Sequence, residues 1–217
     1  MLTTKPPMRQ LLNILSQACS IVLYPMLMPL YGILLFCVGA KQLIPLLPSL
    51  YISLCIAGTA VITLVIPILL LVFMWKKGQI DSLHINDAKQ RTTPYMYTLI
   101  CYGFWAYFLR VTLQLPTFLL LVAIGSMFAL LAVTIINHWW KISAHLTGIG
   151  GLLGGICSFA LSYSVLPFWL IIIVLLVALI LMYARLYLDA HTPMQVVCGF
   201  LLGLLSTFIP TLIMIYA

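Results

Sequence analysis

The sequence predicts an all-α fold, a polytopic bundle of six to seven transmembrane helices that forms one integral membrane domain over residues 1–217. The first observation is composition: 65% of the 217 residues are hydrophobic and only 6% are charged, whereas soluble proteins carry about 25% charged residues. The second observation is that the few charges leave long uncharged runs. These runs are residues 10–40, 42–75, 92–109, 111–140, 142–184 and 190–217. Because a helix needs about 20 apolar residues to cross a bilayer, each run is long enough for one crossing and 142–184 for two.

The predicted crossings follow these runs in chain order. They are residues 19–39, 50–75, 94–112, 115–136, 144–162, 167–186 and 193–214. Pro25 and Pro29 interrupt the first crossing, because proline lacks the N–H group that a helix interior requires. Turn-forming residues between Ser162 and Pro167 predict a break within the longest run.

Three of the later helices begin at recognisable capping residues. Thr93 followed by Pro94 has the pattern of an N-cap and a first-turn proline, and Ser143 can cap the helix that follows it. Thr192 and Gln195 have the spacing of a capping box. Unpaired N–H groups and the positive end of the helix dipole at such starts favour the binding of anions.

The net charge of +7 comes from ten Lys and Arg residues spread along the whole chain. Dispersed cations do not form the basic patch of a nucleic-acid-binding protein, so we predict no nucleic-acid partner. The predicted surroundings are the lipid bilayer, with the cations concentrated at one face. The cysteines lie in apolar segments without the spacing of metal ligands, so we predict no metal site and no redox role for them.

The polar residues of this chain are clustered, which is informative because polar groups near lipid are costly. All three acidic residues and all four histidines lie in three short segments, 81–94, 137–145 and 185–195. Two predicted crossings separate each segment from the next, and an even number of crossings returns the chain to the same face. The three segments are therefore predicted to meet at one membrane face. Their arginines, beside helix starts, form a candidate phosphate site.

These segments resemble the three motifs of the type 2 phosphatidic acid phosphatase superfamily. The family motifs are Lys-x6-Arg-Pro, Pro-Ser-Gly-His and Ser-Arg-x5-His-x3-Asp. Arg185 and His191 match the third motif, with alanine at the position of its serine and Gln195 at that of its aspartate. Ser143 and His145 match the second motif, which reads Ile-Ser-Ala-His here.

The first motif is matched less closely. Arg91 occupies the arginine position, His84 stands where the family has lysine, and the proline, Pro94, comes two residues late. Lys89 could supply the cation from a shifted place. The motif-bearing core covers about residues 84–203.

The resemblance implies a metal-free phosphohistidine mechanism that uses no cofactor. His191 would be the nucleophile, and His145 would protonate the leaving alkoxide and then activate water. Gln195, four residues beyond His191, could accept the other ring N–H but carries no charge. Asp189, Asp87 or Asp81 could supply that charge from a neighbouring loop. The implied phosphate-binding residues are Arg185, Arg91, Ser143, Lys89 and His84.

The predicted function is a membrane lipid phosphatase that hydrolyses a phosphomonoester or a pyrophosphate of a lipid. The substrate candidates are phosphatidylglycerophosphate, phosphatidic acid, a polyprenyl pyrophosphate and a phosphorylated glycolipid. One alternative is a lipid phosphotransferase that uses the same histidine, which phosphate release would distinguish. Another is a catalytically degenerate protein that binds an anionic lipid, and the uncharged Gln195 favours it.

The distribution of cations predicts the orientation. When the candidate ligands Lys89, Arg91 and Arg185 are set aside, the motif face holds five cations against two on the opposite face. The positive-inside rule then favours a cytoplasmic site, in what we take to be a bacterial inner membrane. Lys141 and His138, beside two tryptophans, are interpreted as interface anchors.

Overall fold

The computed structural model describes residues 7–43, 48–82, 89–163 and 168–217, and within these ranges the chain forms eight helices and no strand. The helices are α1 (Pro7–Val22), α2 (Met28–Leu43), α3 (Ser49–Ala60, Val61–Val65 and Ile66–Lys76), α4 (Thr92–Tyr107 and Phe108–Thr112), α5 (Thr117–Ile136), α6 (Ala144–Tyr163), α7 (Phe168–Tyr187) and α8 (Pro193–Tyr216). A single π-helical turn lies within α3 and another ends α4. The predicted all-α membrane bundle is confirmed.

Five helices are long and apolar enough to cross a membrane: α3, α5, α6, α7 and α8. Their ends lie within about two residues of five predicted crossings, because the uncharged runs stop where the helices stop. The break predicted in the longest run is present, since α6 ends at Tyr163 and α7 begins at Phe168. The residues between them lie outside the described ranges.

The first predicted crossing, 19–39, is not one continuous helix, in agreement with the interruption predicted at Pro25. The chain instead forms α1 and α2, joined by a 3₁₀ turn at Pro25–Leu27 and bent by 41°. Pro25 opens that turn and Pro29 lies in the first turn of α2, where proline is tolerated. Counted as one broken span, the pair brings the number of candidate crossings to six.

The predicted crossing 94–112 is present as a helix, α4, but differs in two respects. It begins at Thr92, so Thr93 lies inside the helix and is not its N-cap, although Pro94 remains in the first turn. Its four tyrosines, four threonines and Arg110 make it less apolar than the five spanning helices, and it is not among them. By length and composition, the described residues therefore contain up to six candidate crossings without α4.

The close pairing of α6 and α8 brings two helix N-termini together. A methyl group added at Gly150 of α6 would overlap the Phe200 carbonyl, and one at Gly203 of α8 would overlap the Thr147 carbonyl. Glycine at these positions allows the backbones to approach closely. At the site end of the pair, the Ser143 N–H donates to the Gln195 carbonyl at 3.2 Å. This bond ties the second polar segment to the third.

Candidate active site

The polar segments meet around one cavity of about 810 Å³. Its charged end is lined by Arg91, Lys141, His145, Arg185 and His191. The predicted meeting of the three segments is observed for these five residues. His84 and the side chain of Lys89 lie outside the described part of the structure.

The hydrogen bonds of His191 define its tautomer. Its Nδ1 lies 3.1 Å from the Lys141 carbonyl and 3.2 Å from Oε1 of Gln195. Both partners are acceptors, so Nδ1 carries the proton and donates to them. Nε2 is then the ring nitrogen that holds the lone pair. With Nδ1 protonated, His191 has the tautomer that a nucleophile attacking through Nε2 requires. The residue also lines the cavity, where a substrate could reach it.

Gln195 has two functions at once. Its Oε1 accepts from the Thr192 N–H at 3.1 Å as part of a complete capping box, and it also accepts from His191. The bond from Thr192 fixes which end of the amide is oxygen, because a backbone N–H requires an acceptor. The predicted capping box is confirmed, and the same oxygen holds the histidine ring.

His191 is neutral at neutral pH. Burial lowers its pKa to about 4, with a further contribution from the nearby Arg185 charge, and the bonds to Gln195 and the Lys141 carbonyl act in the opposite direction. Burial disfavours the charged imidazolium because that form loses its hydration. A neutral, buried imidazole is the reactive form for attack on phosphorus.

Arg185 offers unused hydrogen-bond donors at the site. Its Nη1 donates to the Ser20 hydroxyl at 3.2 Å. Its Nε is buried and has no hydrogen-bond partner among the described residues. Buried donors are nearly always paired, and a guanidinium presents its donors in a fork that matches a phosphate group. An anion in the cavity would satisfy this orphaned donor.

Two further cations surround the same space. Arg91 lies near Tyr95, and both residues line the cavity. Burial lowers the pKa of Lys141, and the charges of Arg91 and Arg185 lower it further. Mutual repulsion among three cations indicates a site that is completed by negative charge. The interpretation of Lys141 as an interface anchor is corrected, since it lines the cavity. His138, by contrast, is exposed in the turn after α5 and bonds to the carbonyl of Thr134 in the last turn of that helix.

His145 and Ser143 lie at the start of α6. His145 places Nε2 3.2 Å from the Ser20 carbonyl and stands edge-on to the Tyr24 ring. The Ser143 hydroxyl accepts from the Leu146 N–H at 3.5 Å, which confirms the predicted N-cap. Ser143 is fully buried and is not part of the cavity lining. At this helix start, the first-turn backbone N–H groups remain available to bind an anion.

Sequence reasoning missed the contribution of α1. Ser20 accepts from Arg185 through its hydroxyl and from His145 through its carbonyl, and it is buried. Tyr24 packs beside it against His145. Neither residue belongs to a motif, and a serine within an apolar run is an ordinary feature of a membrane helix. Only the packing of α1 against α7 reveals the contact.

The acidic residues differ in their relation to His191. Asp189 lines the cavity in a left-handed backbone conformation, with φ of 52°. Nδ1 of His191 bonds to two carbonyl oxygens and not to the Asp189 carboxylate. Asp81 accepts from Gln90 at 2.6 Å. Asp87 lies outside the described ranges. The described side chains contain no group of three His, Cys, Asp or Glu residues arranged to hold a metal ion.

The comparison with protein families agrees with this geometry. The model of the PAP2 superfamily matches residues 121–216, somewhat less than half of the chain. The match confirms the resemblance to the type 2 phosphatidic acid phosphatase superfamily, and it includes the second and third motif segments. It implies phosphatase- or phosphotransferase-like activity on phosphate esters. No curated protein and no solved structure matches the chain.

Proposed function

We propose that the protein is a membrane phosphatase that hydrolyses a phosphomonoester or pyrophosphate of a lipid through a phosphohistidine on His191. The observation that supports this most strongly is the pair of bonds from Nδ1 of His191 to two carbonyl oxygens. They orient the ring and leave the lone pair on Nε2. A histidine held in this way, beside an arginine with an unpaired buried donor, fits nucleophilic attack on a bound phosphate.

The first chemical step forms the phosphohistidine. Nε2 of His191 attacks phosphorus, the bond from phosphorus to the lipid oxygen breaks, and the leaving alkoxide takes a proton from His145. Nε2 of His145 already donates to the Ser20 carbonyl, so the transferred proton is the one on Nδ1 of its imidazolium form. A phosphate group beside that ring favours the protonated form.

The second step releases phosphate. His145 removes a proton from water, the water oxygen bonds to phosphorus, and the bond between phosphorus and Nε2 of His191 breaks. The His191 ring returns to its neutral form, with the proton still on its Nδ1. Gln195 orients the ring throughout, as an uncharged substitute for a carboxylate.

We propose that the developing negative charge is stabilised by the cations and N–H groups around the cavity. Arg185 contributes the guanidinium N–H donors that do not bond to Ser20. Arg91 and Lys141 contribute positive charge from the cavity lining. Fixed positive groups of this kind cost little reorganisation in the transition state. Lys89 and His84 remain part of the proposal as additional phosphate ligands.

The substrate is proposed to be a lipid because the charged groups lie at the ends of apolar helices. A substrate that stays in the bilayer can present its phosphate at that depth. The excess of cations at this face supports a cytoplasmic orientation of the site.

Two other activities fit the same site. In a phosphotransferase, a lipid hydroxyl instead of water would accept the phosphoryl group from His191. A catalytically degenerate lipid-binding protein is favoured by one observation, the absence of charge on Gln195. In an unrelated serine protease, replacing the orienting aspartate by an amide lowers kcat by about 10⁴.

The test is phosphate release from a panel of lipid phosphates in detergent, with EDTA present. We expect the wild-type protein and His138→Ala to release phosphate and His191→Ala to release none. His138 is a matched control because it is exposed and bonds to the nearby Thr134 carbonyl at the end of α5. Transfer to a lipid alcohol without phosphate release would indicate the transferase. Activity that persists in His191→Ala would refute the proposed nucleophile.

A further inference from the structure

We infer that the cavity continues from the charged site into the bundle as a channel that binds one hydrocarbon chain of the substrate, and that its closed end sets the chain length. This inference rests on the proposed function and names the part of the substrate that the site recognises. Below, the part of the cavity beyond His145, as far as Phe159, is called the tail channel. Its walls are formed by α2, α4, α5 and α6.

The tail channel is continuous along its helices. On α5, lining residues recur every third or fourth position from Phe118 to Val133, and on α6 they do so from His145 to Phe159. This spacing is one face of an α-helix. Fourteen residues separate His145 from Phe159, which corresponds to about 21 Å at the helical rise of about 1.5 Å per residue. The channel therefore extends well below the phosphate site.

Serine and threonine hydroxyls along the channel already have hydrogen-bond partners. Thr98 and Ser126 each donate at 2.9 Å to the carbonyl four residues earlier in their own helix. Thr207 donates to the Gly151 carbonyl at 3.0 Å. A wall whose hydroxyls are satisfied internally presents mainly apolar surface. Such a wall fits a hydrocarbon chain and does not fit an ion path, which requires exposed polar groups.

Three phenylalanine rings close the inner end of the channel. The Phe36 and Phe159 ring centroids lie 5.8 Å apart, those of Phe118 and Phe159 5.6 Å, and those of Phe36 and Phe118 6.0 Å. All three side chains are buried, and the three residues line the cavity. Aromatic rings at these separations pack favourably against one another. They form a floor that an entering chain must stop against.

The occupant follows from the two ends of the cavity. The charged end, with Arg91, Lys141 and Arg185, is complementary to a phosphate, and the lining of the remainder is mainly apolar. A lipid chain of one leaflet spans about 15 Å, half of a hydrocarbon core of about 30 Å. A channel of about 21 Å therefore accommodates one extended chain that is covalently linked to the phosphate at its mouth.

The test is a series of single-chain alkyl phosphates of increasing length, with KM measured for each. Each added methylene is expected to lower KM about fourfold, the fold-change that corresponds to about 0.8 kcal/mol. The decrease should stop at the length at which the chain reaches the floor. Partition into detergent micelles also depends on length, so the quantity that decides is the shift of this break between variants.

Two variants move the floor in opposite directions. Phe159→Ala removes part of the floor, so the break is expected at longer chains. Ser126→Leu fills the channel about midway along α5, so the break is expected at shorter chains. Phe128→Ala is the matched control, because Phe128 lies on the same helix as Ser126 and is 61% exposed on the outer surface. The inference is overturned if all variants keep the wild-type break.

A binding measurement separates failure of this inference from failure of the proposed function. An alkyl phosphate with a photoreactive group at the end of its chain is bound to the His191→Ala variant, irradiated, and mapped by mass spectrometry. Labels on Phe36, Phe118 or Phe159 support the tail channel even if no phosphate release is found. Labels confined to outward residues such as Phe128 overturn it, even if the protein is a phosphatase.

Discussion

The exchange of Gln195 for glutamate separates the two functions of this residue. Glutamate keeps an oxygen acceptor for the Thr192 N–H and for Nδ1 of His191, which lie 3.1 Å and 3.2 Å from Oε1. The only intended change is a negative charge beside the ring. That charge stabilises the imidazolium and, by the same argument, the positively charged phosphohistidine. We therefore predict that Gln195→Glu raises both the pKa of His191 and kcat.

The size of the effect follows from the distance. Two unit charges about 4 Å apart attract by about 4 kcal/mol at an effective dielectric constant of about 20, which corresponds to roughly 3 pKa units. The cost of burying the new carboxylate reduces this gain. From a starting pKa of about 4, we expect the pKa of His191 to rise by at least about 1 unit. An increase of about tenfold or more in kcat should accompany it.

The assay is an NMR pH titration of the histidine ring nitrogens in detergent, combined with initial rates. The chain has only four histidines, and the His191→Ala spectrum assigns the signal. The exposed His138 supplies a reference signal in the same spectra. An unchanged pKa of His191 in Gln195→Glu would refute the contact with Nδ1 and the tautomer deduced from it.

The remaining predictions concern α1, pH and topology. Ser20→Ala removes a hydrogen bond to the charged Arg185, worth about 1.5–3 kcal/mol, so kcat/KM should fall roughly 10- to 150-fold. Ser20→Thr should restore kcat/KM, and Ser16→Ala, one turn earlier, should have little effect. Equal losses in the two alanine variants would contradict the contact between Ser20 and Arg185. Because the folded pKa of His191 is about 4 and the unfolded value about 6.5, the unfolded chain binds more protons between these values, so thermal stability should decrease as pH falls from about 6.5 to about 4. His191→Ala should lessen that decrease, and an identical pH dependence in both proteins would show that His191 titrates normally. Because α8 leads from a cytoplasmic site to the other face, an alkaline phosphatase fused after Ala217 should be active. If this fusion is inactive while a reporter that folds in the cytoplasm is active at the same position, the site lies outside.

The spanning helices could be predicted closely because charged residues or turn-forming residues mark their ends. The uncharged runs stop near the C-termini of α3 and α5 and near the N-termini of α6 and α8, and turn-forming residues mark the break between α6 and α7. The capping box at Thr192 and Gln195 was also predictable, since it depends on a local spacing. The meeting of the polar segments followed from topology and required no knowledge of packing.

Other features depend on tertiary contacts that no local pattern encodes. Ser20 reaches Arg185 only because α1 packs against α7. Lys141 has the sequence context of an interface anchor, yet the loop before α6 turns it toward the cavity.

The tail channel could not be predicted for a related reason. A helix such as α5 is apolar on all sides, so its sequence does not distinguish the face that lines a cavity from the face that meets lipid. Ser126 and Phe128, two residues apart, lie on different faces, and only the assembled bundle shows which one lines the cavity.

The most direct test of the account is to trap the phosphoenzyme. The protein is mixed with a radiolabelled lipid phosphate, quenched within one turnover under alkaline conditions that preserve phosphohistidine, and digested for mass spectrometry. We predict label on His191 in the wild-type protein and none in His191→Ala. Phosphate release without any labelled histidine, or label on another residue, would contradict the central claim.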